Sequence, residues 1–165
     1  MFKYYKENKM ITLNRGETAK FNIVLPVKDQ NGYIMYSDGT NIYWYDSSKK
    51  TLYDAEYKKS KVSLNELERQ IYTFKDGDII RFKVFNSNNC EDVKIQKEFN
   101  AEHDSKKVCI SLTSEDTTID DYINQPTDYW YEVELERDNE ITTIIGYDEN
   151  NAKIFRLYPE GGIKS

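Results

Sequence analysis

The chain has 165 residues, enough to bury a hydrophobic core without a disulfide or metal staple, and a length that fits one domain, with or without an insertion. Its 23 Lys and Arg stand against 29 Asp and Glu, a formal net charge of -6, so it gains no counterion-release energy on a phosphate backbone and nucleic acid is not an expected partner. Lys58, Lys59 and Lys61 form the densest basic group, and no stretch is apolar for long enough to span a bilayer or, in the opening MFKYYKENKM, to serve as a secretory leader; the expectation is a soluble product of a cytoplasm, with no membrane partner.

The first structural signal lies over residues 10–27. Ala19, Phe21, Ile23, Leu25 and Val27 alternate with polar or mixed neighbours after the turn residues Asn14 to Glu17, which predicts a strand pair or one bent strand. In NGYIMYSDGTNIYWYD two aromatic runs flank Ser37 to Thr40. Asp-Gly tolerates positive φ, so this segment predicts a hairpin. SLNELERQ, residues 63–70, has Leu64 and Leu67 three apart and a Ser63/Glu66 capping-box spacing, which predicts one or two helical turns.

Beyond Asp76-Gly77-Asp78, Ile80, Phe82 and Val84 alternate with Arg81 and Lys83 and predict a half-buried strand. Val93, Ile95 and Phe99 predict the next strand, and Val108, Ile110 and Leu112 the one after. Thr113 or Ser114 can cap a short helical turn opened by Glu115 and Asp116, which Pro126 excludes from continuing. In DYWYEVELE, Tyr131, Val133 and Leu135 fall on one face of a strand and Glu132, Glu134 and Glu136 on a wet one. Arg137 to Glu140 is turn chemistry, and Ile141 to Tyr147 and Ile154 to Tyr158 read as further strands, together a β-meander.

Seven or more short strands without long intervening helices cannot build a parallel doubly wound sheet. They predict an all-β chain: one antiparallel β-sandwich of immunoglobulin-like type across residues 1–165, with at most two short helices and an aromatic hairpin elaborated over residues 31–70.

The catalytic inventory is thin. His103, the one histidine, lies in the polar stretch AEHDSKK and reads as a solvated hairpin tip. Cys90 and Cys109 fit no CxxC or Cys/His spacing and read as free thiols of a reducing compartment. No Gly-x-Ser-x-Gly, phosphate loop or His-Glu-x-x-His occurs. Paired carboxylates would need a defined separation in space to act as a glycosidase, and Asp116, Asp120 and Asp121 lack the loop pattern of a specific calcium site. No enzyme activity, metal or cofactor is expected. The aromatic cluster Tyr33, Tyr36, Tyr43, Trp44, Tyr45, Tyr53 and Tyr57 is different, because tyrosine and tryptophan offer rigid contact area with a polar tip, suited to protein interfaces and to stacking on sugars. Alternation puts Tyr43 and Tyr45 on one face and Ile42 and Trp44 on the other. A ribbon apolar on both faces implies burial on one side and a partner on the other.

The order ITLNRGETAKFNIVL, FKDGDIIRFKVF, IQKEF, ISLTSEDT and DYWYEVELE, followed by a closing pair of strands, resembles the immunoglobulin-like domain of tailed-bacteriophage virion proteins, such as the N-terminal domain of upper baseplate proteins and related prophage structural proteins. Leu112 to Thr117 resembles the LTPEDT turn of that family, and Tyr129, Tyr131 and Val133 its aromatic strand. The resemblance implies a non-enzymatic virion component, made in the host bacterial cytoplasm and docked in multiple copies, or as a homo-oligomer, on other virion structural proteins of the baseplate, tail, neck or capsid surface. Residues 31–70 depart from the family's short connection. Under this reading the aromatic cluster and the tail around Tyr158 form the interface; a carbohydrate-binding adhesion module, touching a surface glycan, is the alternative.

Overall fold

The strictest alternation in the sequence forms the spine of the fold: Ile80, Phe82 and Val84 are buried while Arg81 and Lys83 between them stay partly exposed. The structure, a computed structural model, describes residues 1–102, 104–146 and 153–160. Its strands are β1 (Lys3–Tyr4), β2 (Ile11–Asn14), β3 (Ala19–Ile23), β4 (Ile34–Ser37), β5 (Ile42–Asp46), β6 (Thr51–Asp54), β7 (Glu68–Arg69), β8 (Ile79–Asn86), β9 (Asn89–Asn100) and β10 (Val108–Leu112). A one-turn helix α1 (Ser114–Thr117) leads to β11 (Thr127–Arg137), β12 (Glu140–Ile145) and β13 (Lys153–Tyr158). The chain divides into two compact units, Met1–Ile23 with Phe74–Ser165, and Val24–Thr73.

The larger unit is an antiparallel β-sandwich. One sheet runs β1-β2-β13-β11-β8-β9, with β12 also on β11, and the other is the pair β10-β3. Only β13 with β2 is parallel among the described pairs. The order β13, β11, β8 against β3 and β10 is the immunoglobulin-like connectivity, in which the turn at Asn14–Glu17 carries the chain from one sheet to the other. Of the two forms expected over 10–27, the structure has two strands and not one bent strand, and the two lie in different sheets. Phe82 sits where the layers meet, its ring 6.1 Å from Phe21 of β3, 5.6 Å from Tyr131 and 6.4 Å from Phe155.

The C-terminal strands do not form a meander. β11 pairs with β13 through Thr127 to Tyr131 and with β12 through Val133 to Arg137, so β13 returns to the first half of β11 and continues onto β2. An irregularity at Val133/Glu134 separates the two pairings. Asp138 and Asn139, both at positive φ, make the β11–β12 turn as the RDNE segment predicts. Tyr147, Gly161 and Gly162 lie outside the described residues, as does His103.

The acidic face of β11 is an ion-pair ladder instead of a simple wet surface. Glu134 is only 9% exposed and meets Arg81 at 3.3 Å and Lys83 at 3.1 Å, while Arg81 also reaches Glu98 at 2.9 Å. The sequence pairs these charges across neighbouring strands, where opposite signs stabilise the sheet. Capping also follows the sequence at α1: Asp116 N–H donates to Thr113 Oγ1 at 3.1 Å, and Thr113 N–H donates to the Asp116 carboxylate at 2.7 Å. Thr113→Ala should accordingly cost about 1 kcal/mol in urea denaturation, and Thr113→Ser should restore most of it.

The smaller unit is a sheet in the order β6-β5-β4-β7. Asp38 Oδ1 accepts from the N–H of Thr40 and Asn41, and Gly39 takes positive φ, which closes the β4–β5 hairpin where Asp-Gly predicts it. The helical part of residues 63–70 is a single 3-10 turn, Leu64–Glu66, followed by β7; the Ser63 hydroxyl turns to the Asn65 side chain and caps nothing. The unit closes at its own neck: Pro26 bridges Ile71, Tyr72 N–H donates to Leu25 O at 2.8 Å and Val27 N–H to Gln70 O at 3.2 Å.

Candidate functional site

The alternation along β4, β5 and β6 sorts the aromatic cluster into two sets. Tyr43 is buried with Leu52 and Leu67, and Tyr36, Tyr45, Val62 and Leu64 pack against them; these side chains are the hydrophobic core of the smaller unit. Tyr36, Tyr43 and Tyr45 thus serve the interior. The register places Met35, Trp44 and Tyr53 in a row across the three strands, on the opposite face. Tyr33 and Tyr57 complete that row.

Four rings of this second face are held in pairs. Trp44 and Tyr57 lie parallel within 5°, their centroids 6.3 Å apart, and Tyr33 and Tyr53 within 13° at 5.5 Å; Tyr33 and Tyr57 are 6.5 Å apart and tilted. Offset parallel rings are a favoured aromatic arrangement. Tyr57 is 44% exposed, whereas Tyr33, Trp44 and Tyr53 are partly buried.

Tyr57 reaches this position by an uncommon backbone. In the turn after β6, Asp54 Oδ1 accepts from the N–H of Glu56 and Lys58, Tyr57 N–H donates to Asp54 O at 2.9 Å, and Tyr57 itself adopts φ +63. Glycine is the default there, and a bulky residue costs about 1 kcal/mol. The ring is then tied down: Tyr57 O–H donates to Asp29 Oδ2 at 2.8 Å, while Asp29 Oδ1 accepts from the N–H of Asn31 and of Tyr33, each at 2.9 Å. Burial works to raise the Asp29 pKa, but the Tyr57, Tyr33 and Asn31 hydrogen bonds outweigh it and hold the carboxyl below its ordinary value. The same bond pushes the Tyr57 hydroxyl up. Asp29 escapes a sequence reading because its Asp-Gln-Asn-Gly run marks a turn but says nothing of a hydroxyl 28 residues away.

Tyr158 belongs to the other unit. It ends β13 in the sandwich unit, and its carbonyl accepts from Arg15 N–H at 2.9 Å; on the same strand Arg156 pairs with Asp128 at 2.7 Å.

Several carboxylates of the sandwich unit are engaged with cations. A cleft of about 520 Å³ is lined by Asp92, Lys94, Glu115, Asp116 and Asp120 among others. There Lys97 binds Asp116 and Lys94 binds Asp120, both at 2.7 Å, and Tyr129 O–H donates to Asp120. Those hydrogen bonds lower both Asp pKa values: at Asp116 they outweigh burial, and at Asp120 the Lys94 bond leads. Glu132 is raised by burial and by Glu134, whereas Glu134 is lowered by Lys83 and Arg81 against its own burial. This is the signature of a salt-bridge ladder on an open sheet. Among the described residues no three His, Cys, Asp or Glu side chains are placed to hold a metal ion, and Cys90 and Cys109 are free and exposed. Comparison with protein-family models, curated proteins and solved structures found no match to this chain.

Proposed function

We propose that this chain is a non-enzymatic structural protein of a tailed-phage virion, held in multiple copies on a symmetric assembly by other virion proteins, and that its unit 24–73 displays the contact surface. One observation carries the display: of seven aromatic side chains in that unit's cluster, three build its core and Tyr33, Trp44, Tyr53 and Tyr57 remain on the other face as ordered, partly exposed pairs. A surface of that kind, on a chain whose clustered carboxylates are tied to lysine and arginine, suits binding better than catalysis. The virion assignment rests on the resemblance of the sandwich sequence and agrees with its strand connectivity. Multiple copies would make a small contact per copy effective.

The test is purification of phage particles from cells producing a tagged chain, followed by cryo-electron microscopy. Co-sedimentation with particles and density for the sandwich at a symmetric position are the expected results. A chain that stays with the soluble fraction when particles assemble would overturn the reading. A second reading, a carbohydrate-binding adhesion module displayed on the particle, uses the same surface and is favoured by the parallel rings with a carboxylate at the edge of one of them.

A further inference from the structure

We infer that a second copy of this chain packs on the outer face of the larger sheet of the sandwich, through a row of apolar side chains that crosses four of its strands. This surface belongs to the sandwich unit and not to unit 24–73, and the pairing does not depend on the virion assignment.

Pairing register locates the row. In β11, Tyr129, Tyr131 and Val133 are buried in the sandwich, so Trp130 lies on the outer face. Trp130 is opposite Ile154 of β13 on one side and Phe85 of β8 on the other, and Phe85 is opposite Val93 of β9. Ile154, Trp130 and Phe85 are partly exposed, and Val93 is 43% exposed. Single apolar residues on a surface call for no explanation. Four in one cross-strand line make a contiguous patch, and such a patch bordered by charge is the form of a contact surface.

The two borders of the row identify the occupant. On one side stands the ion-pair ladder, where four carboxylates, Glu98, Glu132, Glu134 and Glu136, meet two cations, Arg81 and Lys83. Glu132, which adjoins the row, is poorly neutralised: Lys83 stands 4.0 Å away, and burial and Glu134 raise its pKa. On the other side the balance reverses. Arg156 pairs with Asp128 at 2.7 Å, and the exposed Lys3, a second cation, follows across Thr12. At the β9 end Asp92 is matched by Lys94 at 3.1 Å.

A two-fold axis laid along the row brings the apolar row of one copy onto that of the other. Because this rotation reverses strand direction, it also sets the Lys3 and Arg156 flank of each copy against the glutamate flank of its partner. Both contacts form at once, as an isologous interface requires. The two sheets meet face to face with their strands nearly aligned, a favoured way for sheets to pack. One face carries both halves of the charge pattern, so the chain itself is the partner that it fits.

The test is sedimentation velocity on the full chain from about 1 μM to about 500 μM, in which a reversible dimer with Kd on the order of 10 μM is expected. Val93→Asp, at an exposed position where a polar side chain costs the fold little, should weaken association by about tenfold or more. Arg156→Glu and Glu132→Arg should each weaken it as well. An equimolar mixture of those two variants should recover a dimer, because each opposes like charges in its own pair and opposite charges in the mixed one. Mixing cannot repair a folding defect, and thermal midpoints of each variant measured in parallel register any such defect directly. A chain that sediments as a monomer throughout, a dimer untouched by Val93→Asp, or a mixture no more associated than its components would overturn the inference. The virion reading is separate from all three results, since it stands or falls with co-sedimentation of the chain with particles.

Discussion

Phe82→Ala should lower the unfolding free energy of the sandwich by about 3–5 kcal/mol, the range expected when a fully buried aromatic ring is removed from a close-packed core. Phe82 is 0% exposed and touches a ring from each of three other strands, Phe21, Tyr131 and Phe155. No small side chain at that site can reach all three, so the surrounding rings cannot close the cavity. The two tryptophans make the measurement direct. Trp130 lies in β11 of the sandwich and Trp44 in β5 of the smaller unit, so in a Trp44→Phe background urea unfolding followed by fluorescence reports the sandwich alone. A loss under about 1 kcal/mol would mean that the two sheets do not pack through Phe82.

Arg137→Ala should be nearly as damaging, at about 3 kcal/mol, because it strands a buried charge. Asp78 is 1% exposed; Arg137 Nε donates to one of its oxygens at 2.8 Å, the other guanidinium nitrogen binds its second oxygen, and Lys75 N–H donates to that oxygen at 2.8 Å. Burial acts to raise the Asp78 pKa, and the Arg137 and Lys75 bonds more than reverse it, so the folded value lies below the unfolded one. The sign follows. A carboxyl depressed on folding contributes stability that is fully present above its unfolded pKa, near 3.9, and that fades as pH falls through the folded value. The gap between the parent and Arg137→Ala should therefore be widest near neutral pH and narrow in acid, where Asp78 takes up a proton in the variant first. Urea midpoints collected from pH 7 down to pH 3 check this; a gap independent of pH would assign the loss to the packing of the arginine stem.

Much of the sandwich is legible in residue order. Ile80/Phe82/Val84 and Val108/Ile110/Leu112 alternate as single-sided strands and are buried as read. In β9 the same reasoning fails, for a local reason. Register shifts around Phe85 break the period of two, which leaves Val93 43% exposed while Ile95 is buried. Pairing partners were less legible than strands: nothing in EITTII or KIFRLY says that both strands lie along β11 at different halves, since that depends on an irregularity at Val133/Glu134. The aromatic face was half legible. Alternation separates Trp44 from Tyr43 and Tyr45, but the placement of Tyr57 beside Trp44 comes from a turn with an unexpected positive φ, and its fastening to Asp29 from a contact across 28 residues.

The paired neck of unit 24–73 bears on how such a chain can change. Because Leu25 with Tyr72 and Val27 with Gln70 already bring the two ends of the unit together, the sandwich has to close a connection that behaves as a short loop, whatever the length of chain beyond the neck. Everything past that point can be lengthened, shortened or exchanged for another cassette while the alternation code of β3 and β8 stays intact. The sequence of that unit can then diversify at its own pace, leaving the scaffold's folding instructions unedited.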